Sequence, residues 1–132
     1  MAAPPNNQAN PASRIPTYSA GAAQIVPVPP TAFPATIAGG ATYSTGVIAG
    51  LGYSGLAAAA QLDQAGVLTL QRYIDQAGTI PIGAATTQAM SAGVQATVAV
   101  RDGLPFSSFI VTIQNTSGSL GTLSGTALLM SG

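Results

Sequence analysis

The chain has 132 residues, enough for one compact domain with a real core and a tail. Its charge is confined to Arg14, Arg72, Arg101, Asp63, Asp75 and Asp102, 5% of the residues and zero in sum, with no Lys, Glu, His or Cys. That inventory argues against general acid–base catalysis, thiolate metal sites and disulfides, and three scattered arginines cannot build an electrostatic nucleic-acid surface.

A mean hydropathy of +0.42 with so little charge puts Ser, Thr, Gln, Asn, Ala and Gly on the surface. Water wets such a surface, but nothing on it repels a neighbouring subunit. The opening MAAPPNNQANPASRIP lacks the basic start and unbroken apolar run of a secretory signal. The weakly polar stretch 46–60 is shorter than the about 20 residues a membrane-spanning helix needs. Neither a signal peptide nor a membrane span is expected.

In chain order, the first element is a proline-rich arm. Eight of the ten prolines fall in the first 34 residues: Pro4, Pro5, Pro11, Pro16, Pro27, Pro29, Pro30 and Pro34 among them. Proline fixes φ and donates no hydrogen bond, so residues 1–35 are expected to be extended, with a short strand near 24–28. Too few apolar residues accompany the prolines to fold as a domain. A neighbouring subunit is the expected resting place of the arm, with packing across its own sandwich as the alternative; the contact is expected through Pro4, Pro5, Pro11, Arg14, Pro16, Tyr18, Pro27, Pro29 and Pro30.

Residues 36–132 change to short alternating segments punctuated by Gly, Asp, Asn and Ser, the pattern of strands and tight turns. Further strands are expected near 42–49, 53–62, 67–75, 79–90, 94–101, 106–115 and 120–130. In 94–101 the period of two puts Val94, Ala96, Val98 and Val100 on one face; in 109–114 it puts Phe109, Val111 and Ile113 inward, with a turn at 115–118. The near-repeat Leu62-Asp-Gln-Ala-Gly66 and Ile74-Asp-Gln-Ala-Gly78 predicts two hairpin turns, each opened by Asp and closed by a positive-φ Gly. Strands at such regular spacing predict an all-β antiparallel sandwich or barrel.

Gly50, Gly52 and Gly55 match the G-x-G-x-x-G dinucleotide fingerprint, and VIAGLGYSGLAAAAQLDQAGVLTL resembles the opening of a flavin-binding Rossmann unit. That resemblance implies a helix over 57–64. Against it, only Val47, Ile48 and Ala49 form the preceding strand, Tyr73 stands where a ribose-binding acid belongs, and no further βαβ units follow. The three glycines are therefore expected to shape a strand-to-strand connection. Arg101-Asp102-Gly103 predicts a local ion pair or an Asp-opened turn. Tyr18, Tyr43, Tyr53 and Tyr73 suit either interface packing or a sugar-stacking surface. Asp63 and Asp75 head separate turns, so no carboxylate pair or calcium cage is expected.

The stretch IAGGATYSTGVIAGLGYSGLAAAAQLDQAGVLTLQRYIDQAG, closing with FIVTIQNTSGSLGTLSGTALLM, resembles the β-sandwich proteins of tailed-bacteriophage virions, above all the capsid decoration (cement) proteins. The resemblance covers roughly residues 36–130 and is one of pattern and composition. It implies a jelly-roll-like sandwich, a homotrimer, no cofactor, no metal and no catalysis. It further implies the major capsid protein as partner, neither nucleic acid nor membrane, and a place on the capsid surface after assembly in the host cytoplasm. The alternatives are a receptor- or carbohydrate-binding module of a fibre or adhesin, and an internal capsid or tail-tube protein.

Overall fold

The computed structural model describes residues 23–25 and 33–132. Within them the chain is all-β: β1 (Ala23–Ile25), β2 (Thr36–Ile37), β3 (Thr42–Ser44), β4 (Ile48–Ala49), β5 (Gly55–Leu62), β6 (Gly66–Tyr73), β7 (Thr86–Met90), β8 (Val94–Arg101), β9 (Ser108–Asn115) and β10 (Gly121–Ser131). They form two antiparallel sheets. In the first, β10 lies between β5 and an edge shared by β1 and β2, and β8 is the far edge. In the second, β9 lies between β6 and an edge shared by β3 and β4, and β7 is the far edge.

Since β1 and β2 occupy one position and β3 and β4 another, the ten segments fill eight positions. Numbered along the chain, those positions run 1-8-3-6 in one sheet and 2-7-4-5 in the other. That is the jelly-roll sandwich.

Period-two patterning explains why these segments are strands. Along β5, Leu56, Ala58, Ala60 and Leu62 face inward; along β6, Leu68 and Leu70 do; along β9, Phe109, Val111 and Ile113 do, as their sequence predicts. Phe106 and Phe109 meet edge to face at the centre, with ring centroids 5.9 Å apart. At the far end the buried Asn115 is fully used. Its Nδ2 donates to the carbonyls of Ile37 (2.9 Å) and Ser119 (2.8 Å), and its Oδ1 accepts from the Ser117 amide and hydroxyl.

The expected strands over 53–62, 67–75, 94–101, 106–115 and 120–130 match β5, β6, β8, β9 and β10 to within two residues at either end. Three expectations need correction. The segment 42–49 is broken into β3 and β4, because the chain turns away at Gly46 (φ 72°). In 79–90 only 86–90 pairs along β6; Pro81 and Gly83 interrupt the earlier part, leaving a single bridge between Tyr73 and Pro81. Val94 shares the inward register but is 56% exposed, since it starts an edge strand straight after the turn Ser91–Val94.

The near-repeat also splits in two. Asp75 and Gly78 (φ 73°) do build a turn between paired segments, with Ile74 N–H donating to the Ile80 carbonyl. Asp63-Gln-Ala-Gly66 instead carries the chain from the first sheet to the second. Gly66 is needed there for room, because a Cβ would stand 2.4 Å from the Gln114 carbonyl oxygen. Asp63 reaches across to β10, accepting the Thr122 amide at 2.7 Å.

The fingerprint glycines are structural as well. Residues 55–62 are strand β5, not a helix. The Tyr53 amide donates to the Gly50 carbonyl (3.1 Å), with Leu51 (φ 55°) and Gly52 (φ 78°) between them, a type I′ turn. Gly50 packs against Phe106 so closely that a Cβ would lie 2.4 Å from its ring.

Gly50→Ala is therefore expected to destabilise the fold by about 1–3 kcal/mol through overpacking. Gly118→Ala, where an added Cβ meets nothing within 4 Å, is expected to stay within about 0.5 kcal/mol of wild type. Urea unfolding of the two variants checks the contrast.

Candidate functional site

The inward pattern of β6 continues past Leu68 and Leu70 to Arg72, which is 7% exposed. A guanidinium in that position must be satisfied locally, and Asp102 from the β8–β9 connection does so. Arg72 Nη1 and Nη2 donate to its two oxygens at 2.8 and 2.7 Å, and Nη1 also donates to the Leu104 carbonyl at 3.3 Å. Asp102 Oδ1 also accepts the Leu104 amide at 3.0 Å, which makes it the turn-opening residue its sequence predicts. Its ionic partner is the distant Arg72 rather than the adjacent Arg101. The hydrogen bonds from Arg72, and then that from Leu104, hold the Asp102 carboxyl at about 2, below the ordinary 3.8.

The remaining charges stand apart. Asp75 accepts from the Thr79 hydroxyl and from the Thr79 and Ile80 amides, and the Thr79 hydroxyl leads in lowering its pKa. Arg101 donates to Ser131 Oγ at 3.0 Å. Among the described residues no three His, Cys, Asp or Glu gather as a metal site would require.

What the fold presents instead is two broad sheet faces. Register makes their composition explicit. On the first sheet the outward rungs are Ser131–Gly55–Arg101, Leu129–Ala57–Ala99, Ala127–Ala59–Thr97 and Ser124–Gln61–Gln95. On the second they are Thr42–Gln114–Val67–Ala89, Ser44–Thr112–Thr69–Thr87, Ile110–Gln71 and Ala49–Ser108–Tyr73. Arg101, in the Ser131–Gly55–Arg101 rung, is the one charged side chain on these rungs. A shallow groove of about 210 Å³ runs over the first face by Ala57, Ala99, Arg101, Leu129 and Ser131. Alanine, threonine, serine and glutamine thus face the solvent where a free-standing sandwich carries Lys and Glu.

The described tyrosines form no stacking platform of their own. Tyr43 packs on the core edge against Phe33 (centroids 5.5 Å apart), and burial pushes its phenol pKa up. Tyr53 also packs against the core, and Tyr73 is half-buried at the end of β6. Tyr18 lies outside the described residues, as do Pro4, Pro5, Pro11, Arg14, Pro16, Pro27, Pro29 and Pro30 of the expected arm contact. Of the expected arm, β1 is described. It pairs with β10 through Ala23–Ser131, Gln24–Met130 and Ile25–Leu129, so this part of the expected arm is a strand of its own sandwich rather than a contact with a neighbour.

Sequence reasoning missed two features of this surface. The inward place of Arg72 was legible in the alternation Leu68, Leu70, Arg72. The exposed Leu51, 66% accessible at the tip of the type I′ turn, was flagged only by its place between Gly50 and Gly52.

The class these features define is a charge-poor jelly-roll sandwich whose two faces carry a single charged side chain, Arg101, among the described residues. Compared with protein-family models, with curated proteins and with solved structures, the chain matches none.

The titrations give a pH signature. The folded pKa of Asp102 is depressed, so its contribution is complete above the ordinary 3.8 and is lost as pH falls through about 2; Asp75 acts in the same direction. With no His, Lys or Glu in the chain, the melting temperature is expected to be flat between about pH 5 and 8 and to fall below about pH 4. Asp102→Asn should remove part of that acid drop and lower the plateau, because Arg72 then keeps a buried charge without its counter-ion. Thermal melts across pH read both effects.

Proposed function

We propose that this protein is a non-enzymatic structural protein that binds the outside of a phage capsid and cements neighbouring capsomers. The observation that carries the proposal is the outer surface of both sheets, whose rungs, mostly Ala, Thr, Ser and Gln with Gly55, Val67, Ile110, Leu129 and Tyr73 among them, hold a single charged side chain, Arg101. Such faces suit shape-matched contact with other protein subunits, where few ions need to be stripped of water.

The jelly roll occurs in capsid proteins and in lectins alike, so the fold by itself does not choose between cementing and sugar binding. The side chains favour cementing. A glycan site calls for exposed aromatic rings with polar neighbours, and here Tyr43 and Tyr53 pack against the core. Alanine is too small to stack on a pyranose, yet it permits close approach of a flat protein surface. On this reading the proline-rich arm adds reach: its backbone is already restricted, so laying it over a neighbour costs less entropy than ordering an ordinary tail.

Electron cryomicroscopy of particles with which the chain copurifies tests the proposal. The expected result is regular density on the outside of an icosahedral shell, at capsomer junctions. Density confined to a fibre tip would overturn it and put the receptor-binding reading first. In solution, binding to undecorated capsids is expected to change less than about threefold between 50 and 500 mM salt, since so few ions take part. Deletion of residues 1–22, which leaves β1 and Phe33 in place, is expected to reduce capsid occupancy; a glycan-binding domain would keep its ligand without them.

A further inference from the structure

Eight large apolar side chains are exposed among the described residues. Five of them, Val47, Leu51, Ile74, Ile80 and Leu104, belong to one end of the sandwich. Topology puts them there. The connections 50–54, 74–85 and 102–107 all leave the strand ends marked by the rungs Ala49–Ser108–Tyr73 and Ser131–Gly55–Arg101. Ile74 and Ile80 are tied by a backbone hydrogen bond of 2.9 Å. Gly78, between them, lies so near Val47 that a Cβ there would stand 2.9 Å from Val47 Cγ2. By contrast, Val94 and Leu120 sit at the opposite end, and Leu129 lies on a sheet face.

Leu51 is the most exposed of the eight, at 66%, and is the one non-glycine residue with positive φ among the described residues. The first central position of a type I′ turn favours Gly, Asn or Asp, because a bulky side chain is strained in the left-handed region. A leucine held there and turned to solvent gains nothing inside its own chain. The strain has a use only if another surface covers the side chain.

Charge says which surface. At this end Arg72 and Asp102 neutralise each other. Arg101, at the end of the first sheet, has no acidic partner among the described residues, and Asp75, beyond the end of the second, has no basic one. An apolar centre flanked by one unpaired positive and one unpaired negative group is complementary to a copy of itself. A twofold rotation about an axis in the contact plane can set Arg101 of each copy against Asp75 of the other, and with no net charge at this end two copies meet without repulsion.

We infer that this end is a self-association surface whose occupant is a second copy of the chain, with Leu51 as the inserted side chain. The inference deepens the capsid-surface reading by naming the contact within its oligomer, and rests on that reading only for where the oligomer sits.

Sedimentation equilibrium of the purified full chain, without any capsid, tests it. Wild type is expected to self-associate. Leu51→Asn suits the turn, so its melting temperature should equal or exceed that of wild type, while the dissociation constant rises about a hundredfold or more through loss of one buried leucine from each copy. Arg101→Asp should also weaken association, by placing two acids face to face. A wild-type chain that is monomeric at roughly 1 mM, or variants that associate as tightly as wild type, would overturn the self-contact. Capsid decoration retained in that case would leave the cementing proposal standing, so the two failures are distinguishable.

Discussion

One buried guanidinium organises the loop end of this molecule. Arg72 faces inward because β6 alternates, and its charge has to be met where it stands. Asp102 meets it with both carboxylate oxygens, and the Leu104 carbonyl adds a third acceptor. The connection from β8 to β9 is thereby fixed, two residues ahead of Phe106. Phe106 drops into the core against Phe109 and also receives the 50–54 turn, whose Gly52 amide donates to its carbonyl at 3.2 Å. The position of Leu51 thus descends, through a short chain of contacts, from a charge on the opposite sheet.

Elsewhere the fold relies on packing rather than charge. Small residues in β5 allow the sheets to close on larger partners, and Ala58 and Ala60 are buried between Leu56 and Leu62. Polar groups that enter the interior are satisfied by backbone, as Asn115 is by Ile37, Ser117 and Ser119. The surface has little left to do for stability, which frees it to be shaped for contact.

Much of this was legible in the sequence. Alternation located β5, β6, β8, β9 and β10, and the regular turn punctuation pointed to an all-β sandwich or barrel, of which the structure is the sandwich. The broken strands were harder. Whether 42–49 is one strand or two depends on a positive-φ Gly46, which the composition of the segment does not reveal. The two Asp-Gln-Ala-Gly repeats look alike but end in different places, because the next strand joins the same sheet in one case and the opposite sheet in the other. That difference lies in the long-range partners Gln114 and Thr122, which no local pattern contains. For the site, the lack of charge was plain from composition. The gathering of Val47, Leu51, Ile74, Ile80 and Leu104 was not, since it follows from which strand ends coincide.

The paired short edges have a further consequence. A sheet with an open border is a template for another chain, and soluble proteins commonly guard that border with lysine. This chain has no lysine. Its first border is divided between β1 and β2 and its second between β3 and β4, pieces of two or three residues each. At these two borders a strand approaching from outside finds no run long enough to zip onto, and the continuous edges are the far ones, β8 and β7. In a protein whose neutral surface gives little protection from clumping, interrupting one border of each sheet halves the template on which strands could add.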